Sequence, residues 1–128
     1  MDSHVVLAVC AVLRYANIGY LRFNFRGAGK SHGEYSGGDL ETLDVYGAVA
    51  RLMEHEYRAI GIVGYSFGAG VGLRTACSHP NVGVGIGLSP LEDALQSMHG
   101  LLARAEETDD KAFLLIGGDS DPYCSPGR

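Results

Sequence analysis

The sharpest chemical signal in the 128-residue sequence is Gly64-Tyr65-Ser66-Phe67-Gly68, a serine framed by two glycines at G-x-S-x-G spacing. It lies where a short apolar run, residues 59–64, gives way to a helical pattern starting at Phe67. A strand that turns at once into a helix passes through a strained residue, and side chains at the two flanking positions would collide. Glycine at 64 and 68 relieves both collisions and leaves the Ser66 hydroxyl above the strand. The helix that follows directs its unpaired N–H groups and positive dipole end to the same point. The Phe67 N–H is thereby placed to stabilise an oxyanion during acyl transfer. The plainer alternative is a glycine-rich turn with an incidental serine; the strand–turn–helix setting favours a nucleophile.

A second candidate is Asn24-Phe25-Arg26-Gly27-Ala28-Gly29-Lys30-Ser31, whose GAGKS run suggests a phosphate-binding loop. Counting rejects it. The P-loop pattern needs glycine five places before Gly29, where Asn24 stands, and its lysine must open a helix. Here His32-Gly33-Glu34-Tyr35-Ser36-Gly37-Gly38 continues a loop instead. A third candidate is Gly117-Gly118-Asp119-Ser120-Asp121-Pro122, directly after an apolar run at 112–116. A carboxylate there can orient a histidine that deprotonates Ser66. An aspartate before proline equally suits an Asx-turn, and spacing alone leaves both readings open.

These residues need elements to carry them, and the chain alternates helical and strand-like patterns. Ser3 can cap a helix to about Ala16, ended by Asn17 and Gly19. Residues 20–25 (YLRFNF) are aromatic-rich and read as a strand. A Gly- and Ser-rich loop over 26–38 follows, and Asp39 is expected to cap a helix to about Glu56. Its apolar face comprises Leu43, Val45, Tyr46, Val49, Leu52 and Met53. Residues 59–64 and 82–88 read as strands covered on both faces, because they are apolar without alternation. Helices over 67–79 and 91–107 and a last strand at 112–116 complete the order α-β-α-β-α-β-α-β. That order predicts an α/β domain built on a doubly wound parallel sheet with helices on both faces. Ligands in such folds sit at the carboxyl ends of the strands, where all three motifs fall.

Composition narrows the function classes. Ten Lys and Arg oppose 15 Asp and Glu, a formal charge of −5 with no basic block, which argues against nucleic-acid or anionic-membrane surfaces. The three cysteines, Cys10, Cys77 and Cys124, have no metal-ligand spacing and fit reduced thiols in the cytoplasm. Nineteen glycines exceed the usual share of about 7%. The apolar run at 5–13 follows Asp2 rather than a basic region and is far short of the ~20 residues of a membrane span. It reads as a buried helix.

Together F-N-F-R-G-A-G-K-S, G-Y-S-F-G and G-G-D-S-D-P resemble, in kind and order, motifs of the α/β-hydrolases. The nearest likeness is to small intracellular serine-esterase-like proteins, also called serine aminopeptidase or dipeptidyl-peptidase-like hydrolases. It extends over essentially the whole chain, so that residues 1–128 are expected to be part of one such domain. The resemblance implies that Ser66 is the nucleophile, Asp121 rather than Asp119 the acid, and Phe67 an oxyanion donor, with Gly64 and Gly68 shaping the elbow. It implies a small-molecule ester or related acyl substrate, no metal and no organic cofactor.

The chain also departs from that pattern. In the family a catalytic histidine follows the acid, whereas His4, His32, His55, His79 and His99 all precede Asp121, and seven residues remain after it. His32, in the loop at the functional end, is the least implausible substitute; His55 and His79 read as solvated surface residues. An H-G-G-like loop with the second oxyanion donor is also expected before the first helix. The first strands and the last strand of the fold are therefore expected to be missing, and the segment to be inactive alone. The family order places a strand between residues 20–25 and 59–64, so its lack should show as a gap or as direct pairing. A non-catalytic hydrolase-like binding or scaffold protein is the alternative, and flanking coding sequence with H-G-G and a late histidine would exclude it.

Overall fold

The fold is described from a computed structural model covering residues 3–108 and 110–118. Its elements are α1 (His4–Tyr15), α2 (Glu41–Glu54), β1 (Ile60–Tyr65), α3 (Phe67–Ser78), β2 (Val82–Leu88), α4 (Glu92–Glu106) and β3 (Ala112–Ile116). The three strands form one parallel sheet in the order β1-β2-β3. The register pairs Tyr65 with Leu88 and Leu88 with Ile116, so all three strands finish along one edge. That edge carries Ser66.

Helix α3 is the packing centre. Ala69, Gly70, Val71, Gly72, Leu73, Thr75 and Ala76 are all buried, and the helix meets β1, β2, α2 and α4. Val49, Ile60, Ala76 and Val82 form a core cluster against which Leu52, Ile62 and Phe113 pack. The approach is close because strand and helix both carry glycines there. A Cβ on Gly72 would lie 2.8 Å from Ile62 Cγ2, and one on Gly87 2.8 Å from Leu73 Cδ1.

The other face of the sheet corrects two sequence expectations. Strand β1 is covered on one face only: Ile60 and Gly64 are buried, while Val63 and Tyr65 are exposed. The apolar run therefore hides a period of two. Helix α1 begins where expected, with the Ser3 hydroxyl accepting from the Val6 N–H, but it contains no buried residue. Its apolar residues Val5, Val9 and Leu13 are half-buried and border a cavity instead of a packed sheet face.

Residues 20–25 do not join the sheet, contrary to the strand expected there. They run as irregular chain across a cavity of about 880 Å³ from β1. Val5, Val9 and Leu13 of α1 line it, facing Phe23, Phe25, Ile62 and Val63. A strand in a packed sheet takes about 160 Å³ per residue, from its rise, its spacing and the depth of one layer. The cavity thus has the volume of five or six strand residues, about the length of β1. This is a gap of the kind the strand order implied, and neither flanking segment closes it by direct pairing.

Candidate active site

Ser66 stands between β1 and α3 at φ 55° and ψ −119°, a positive φ that side-chain-bearing residues seldom adopt. The strain is held from two sides. The Ser66 N–H donates to the Leu88 carbonyl at 2.9 Å, and the Ser66 carbonyl accepts from the Ala69 N–H at 3.0 Å. Beside it Ser89 also has positive φ, 45°, and its N–H donates to the Ile116 carbonyl at 2.6 Å. The ends of the three strands are thus laced to one another at the serine.

The two elbow glycines differ. A Cβ on Gly64 would collide with the Gly68 carbonyl and approach Ala69 Cα at 2.7 Å, all backbone that cannot step aside. On Gly68 it would meet Phe25 Cε2 at 3.5 Å, an ordinary contact. The expected collision therefore falls on Gly64 alone.

Phe67, the first residue of α3, is half-buried, and the earliest N–H groups of a helix have no intrahelical acceptor. Its ring is held edge-on to Phe25 at 5.7 Å and tilted to Tyr35 at 5.3 Å; Phe25 in turn meets Phe23. All three partner rings come from residues before α2, Phe23 and Phe25 from the segment expected as a strand and Tyr35 from the glycine-rich loop.

That loop, residues 26–38, is held by α2. The Arg26 backbone N–H donates to Asp44 Oδ2 at 2.9 Å and its Nη2 donates to Oδ1 at 2.9 Å. The hydrogen bond from Arg26 holds the Asp44 carboxyl below its usual pKa, and the same bond raises that of Arg26. Arg26 is thereby committed to a carboxylate, and residues 26–31 make turns rather than a P-loop helix. Ser31 closes the turn by donating its hydroxyl to the Asn24 carbonyl at 2.9 Å.

At the far end, Asp39 does not cap α2 with its side chain as expected. The cap residue is Leu40, whose N–H donates to the Ser36 hydroxyl at 2.8 Å, while the fully buried Glu41 reaches back to the Ser36 and Gly38 N–H groups. Burial alone would raise the Glu41 pKa, yet these hydrogen bonds hold it low. The Gly38-x-x-Glu41 spacing lets the carboxylate reach back three residues as in a capping box, but here it grips the chain two residues ahead of the cap at Leu40.

Asp121, with Asp119 and Cys124, lies outside the described residues. His4, His32, His55 and His99 are exposed. His79 departs from the solvated role expected of it: it is half-buried, its Nδ1 accepts from the Asn81 N–H at 3.0 Å, and its ring lies 5.0 Å from Tyr46. Burial and then Lys111 lower its pKa. It stands just before β2, at the sheet edge opposite Ser66. Among the described residues no cluster of three or more His, Cys, Asp or Glu side chains could hold a metal ion. No helix among them is long and apolar enough to cross a membrane.

The arrangement has counterparts. The solved structure of an α-β serine hydrolase homologue from Coxiella burnetii superposes at TM-score 0.77, with 30% identity over 98% of this chain. The fold is that of an α/β-hydrolase. An esterase from Pyrococcus furiosus matches over 80% of the chain at TM-score 0.57 and 25% identity. An uncharacterized Rickettsia prowazekii protein is 30% identical over 92 residues, 70% of this chain. No family model matches. The chain spans 39% of the Rickettsia protein, 58% of the Coxiella chain and 50% of the Pyrococcus chain. Within this α/β-hydrolase fold, β1, β2 and β3 supply a three-stranded part of the parallel sheet, and the turn after β1 supplies Ser66.

Proposed function

We propose that the chain carries the nucleophile of a serine hydrolase acting on an ester or related acyl bond of a small molecule in the cytoplasm. The observation that carries this reading is Ser66 at φ 55° between β1 and α3, on the carboxyl edge of the sheet, with a Gly64 that admits no side chain. Ser66 Oγ attacks the substrate carbonyl carbon while its proton passes to a base, and the Phe67 N–H stabilises the oxyanion. The leaving group departs with a proton, and water then releases the acid from the acyl-enzyme. Asp121 is the carboxylate that orients a histidine base in such a mechanism. Among the described residues none of the histidines hydrogen-bonds to Ser66. The chemistry needs no metal or organic cofactor. The narrower likeness to serine aminopeptidase-like esterases rests on the F-N-F-R-G and G-Y-S-F-G motifs.

The test is fluorophosphonate labelling and p-nitrophenyl acetate turnover by the protein expressed from its whole reading frame. Labelling at Ser66, lost in Ser66→Ala and with turnover strongly reduced in Asp121→Asn, supports the reading. A folded protein that neither labels nor turns over would instead be a hydrolase-like binding or scaffold protein.

A further inference from the structure

We propose that Glu41 is a positioning residue for the Ser66 site, holding residues 35–38 against the Phe67 ring and so fixing the Phe67 N–H. This rests on the reading of Ser66 as nucleophile and adds a residue remote from the reacting atoms.

A buried carboxylate is costly unless fully hydrogen-bonded. Glu41 has none of its surface exposed and forms no ion pair among the described residues. Its oxygens accept from the Ser36 N–H at 2.8 Å, the Ser36 hydroxyl at 2.9 and 2.8 Å, and the Gly38 N–H at 2.6 Å. Capping a helix does not require this, since a serine or asparagine caps without burying a charge. What the glutamate adds is a grip on residues outside the helix. Gly37 and Gly38, at φ 80° and 118°, bend the chain so that N–H groups on both sides of Gly37 meet one carboxylate.

The gripped residues flank the aromatic contacts of Phe67. Tyr35, next to Ser36, is 68% exposed, and its ring lies 5.3 Å from that of Phe67. With little burial of its own, Tyr35 keeps this place because its neighbour is tied by both backbone and side chain. A Cβ on Gly38 would lie 3.9 Å from Phe67 Cε2, so the backbone itself runs beside the ring. Phe25 closes the other side at 5.7 Å. The start of the loop is fixed by the Arg26–Asp44 pair, one helical turn along from Glu41. One turn of α2 thus holds both ends of the loop that walls Phe67.

The experiment compares wild type, Glu41→Gln, Glu41→Ala and a core control, Val82→Ala, in the protein from its whole reading frame. Readouts are p-nitrophenyl acetate kinetics, the thermal midpoint and the Phe67 amide resonance in a two-dimensional NMR spectrum. Glu41→Ala is expected to shift the Phe67 amide and lower kcat about tenfold to a hundredfold at unchanged KM, short of the ~10²–10³ for loss of an oxyanion donor. Glu41→Gln, which keeps one acceptor, falls between. Val82→Ala should lower the midpoint with kcat intact. Equal kcat losses in Glu41→Ala and Val82→Ala, or an unmoved Phe67 amide, would overturn the proposal. If Glu41→Ala fails to fold, Glu41→Gln decides by the same readouts. If wild type shows no Ser66-dependent turnover, the hydrolase reading fails, while the Phe67 amide still decides whether Glu41 positions it.

Discussion

The Ser66 N–H donates to the Leu88 carbonyl at 2.9 Å, tying the turn after β1 to the last residue of β2. The positive φ of Ser66 is therefore sustained by the neighbouring strand as well as by its own helix. The Ser89 N–H repeats the device one strand further on, to Ile116. Strain of this kind costs about 1–3 kcal/mol and persists where the surroundings over-determine it.

The elbow glycines should respond differently to alanine. Gly64→Ala forces a Cβ into backbone atoms of Gly68 and Ala69 and is expected to cost at least about 1–3 kcal/mol, as overpacking does. Gly68→Ala meets Phe25 at 3.5 Å and should stay within about 0.5 kcal/mol of wild type, helped by alanine's better helix propensity. Urea denaturation of the two variants separates them.

A second pair tests packing of α3 on the sheet. Leu73 is 1% exposed, and Leu73→Ala should cost about 2–5 kcal/mol. Gly87→Ala places a Cβ 2.8 Å from Leu73 Cδ1 and should cost about 1–3 kcal/mol. The double variant vacates the space that the new methyl needs. It should be less destabilised than the sum by about 0.5–3 kcal/mol in a denaturation cycle; strict additivity would contradict the contact.

Acid should loosen the loop at 26–38. The Asp44 carboxyl is held low chiefly by its hydrogen bond from Arg26, and the hydrogen bonds on Glu41 outweigh the upward push of its burial. Both folded pKa values lie below those of the unfolded chain, so the unfolded state binds more protons as pH falls. Their stabilisation is full above the ordinary carboxyl pKa of about 4 and is lost as pH drops through the depressed folded values. Urea midpoints measured from pH 7 down to pH 2.5 should fall in that range, and less steeply in Asp44→Asn. A pH-independent midpoint would count against the clamp.

Residues 1–128 alone should hydrolyse p-nitrophenyl acetate at background. Serine is a weak nucleophile without a base, and in one serine protease losing the histidine costs about 10⁶ in kcat. Clear Ser66-dependent turnover would show that one of the five histidines serves, with His32→Ala the next variant to assay.

The open edge of β1 should make the same segment sticky. Unpaired strand edges and apolar cavities favour association, and Val63 is 40% exposed beside the gap. Residues 1–128 are expected to bind ANS strongly and to scatter light on warming, and Val63→Lys should reduce the scattering. A non-scattering monomer with a cooperative melt would refute this.

Much of the sheet and of α3 was legible in the sequence. The strands at 82–88 and 112–116 match to the residue, and the helix from Phe67 to within one residue, because apolar runs and proline mark their ends. The turn at Ser66 was legible because its glycine spacing encodes a steric demand, although only Gly64 meets it. What failed depends on partners. The aromatic content of 20–25 states a preference for strand, but strand pairing needs a neighbour, and there the neighbour is a cavity. The buried face of α1 failed for the same reason. Glu41 was unread because a charge in the first turn of a helix ordinarily signals solvent and dipole, not burial.

The uneven packing has a kinetic side. Proteins open locally in cooperative units whose free energies run from near zero to the global value. The buried residues of α3 and the strands it covers form one such unit, while α1 has no buried residue at all. Amide hydrogen exchange should therefore be slow across β1, α3 and β2 and fast in α1 and residues 18–25. Ser66 and Phe67 are expected to exchange with the slow unit, and Phe25, packed on the Phe67 ring, with the fast one. One wall beside the serine is thus only as persistent as the weaker unit that carries it.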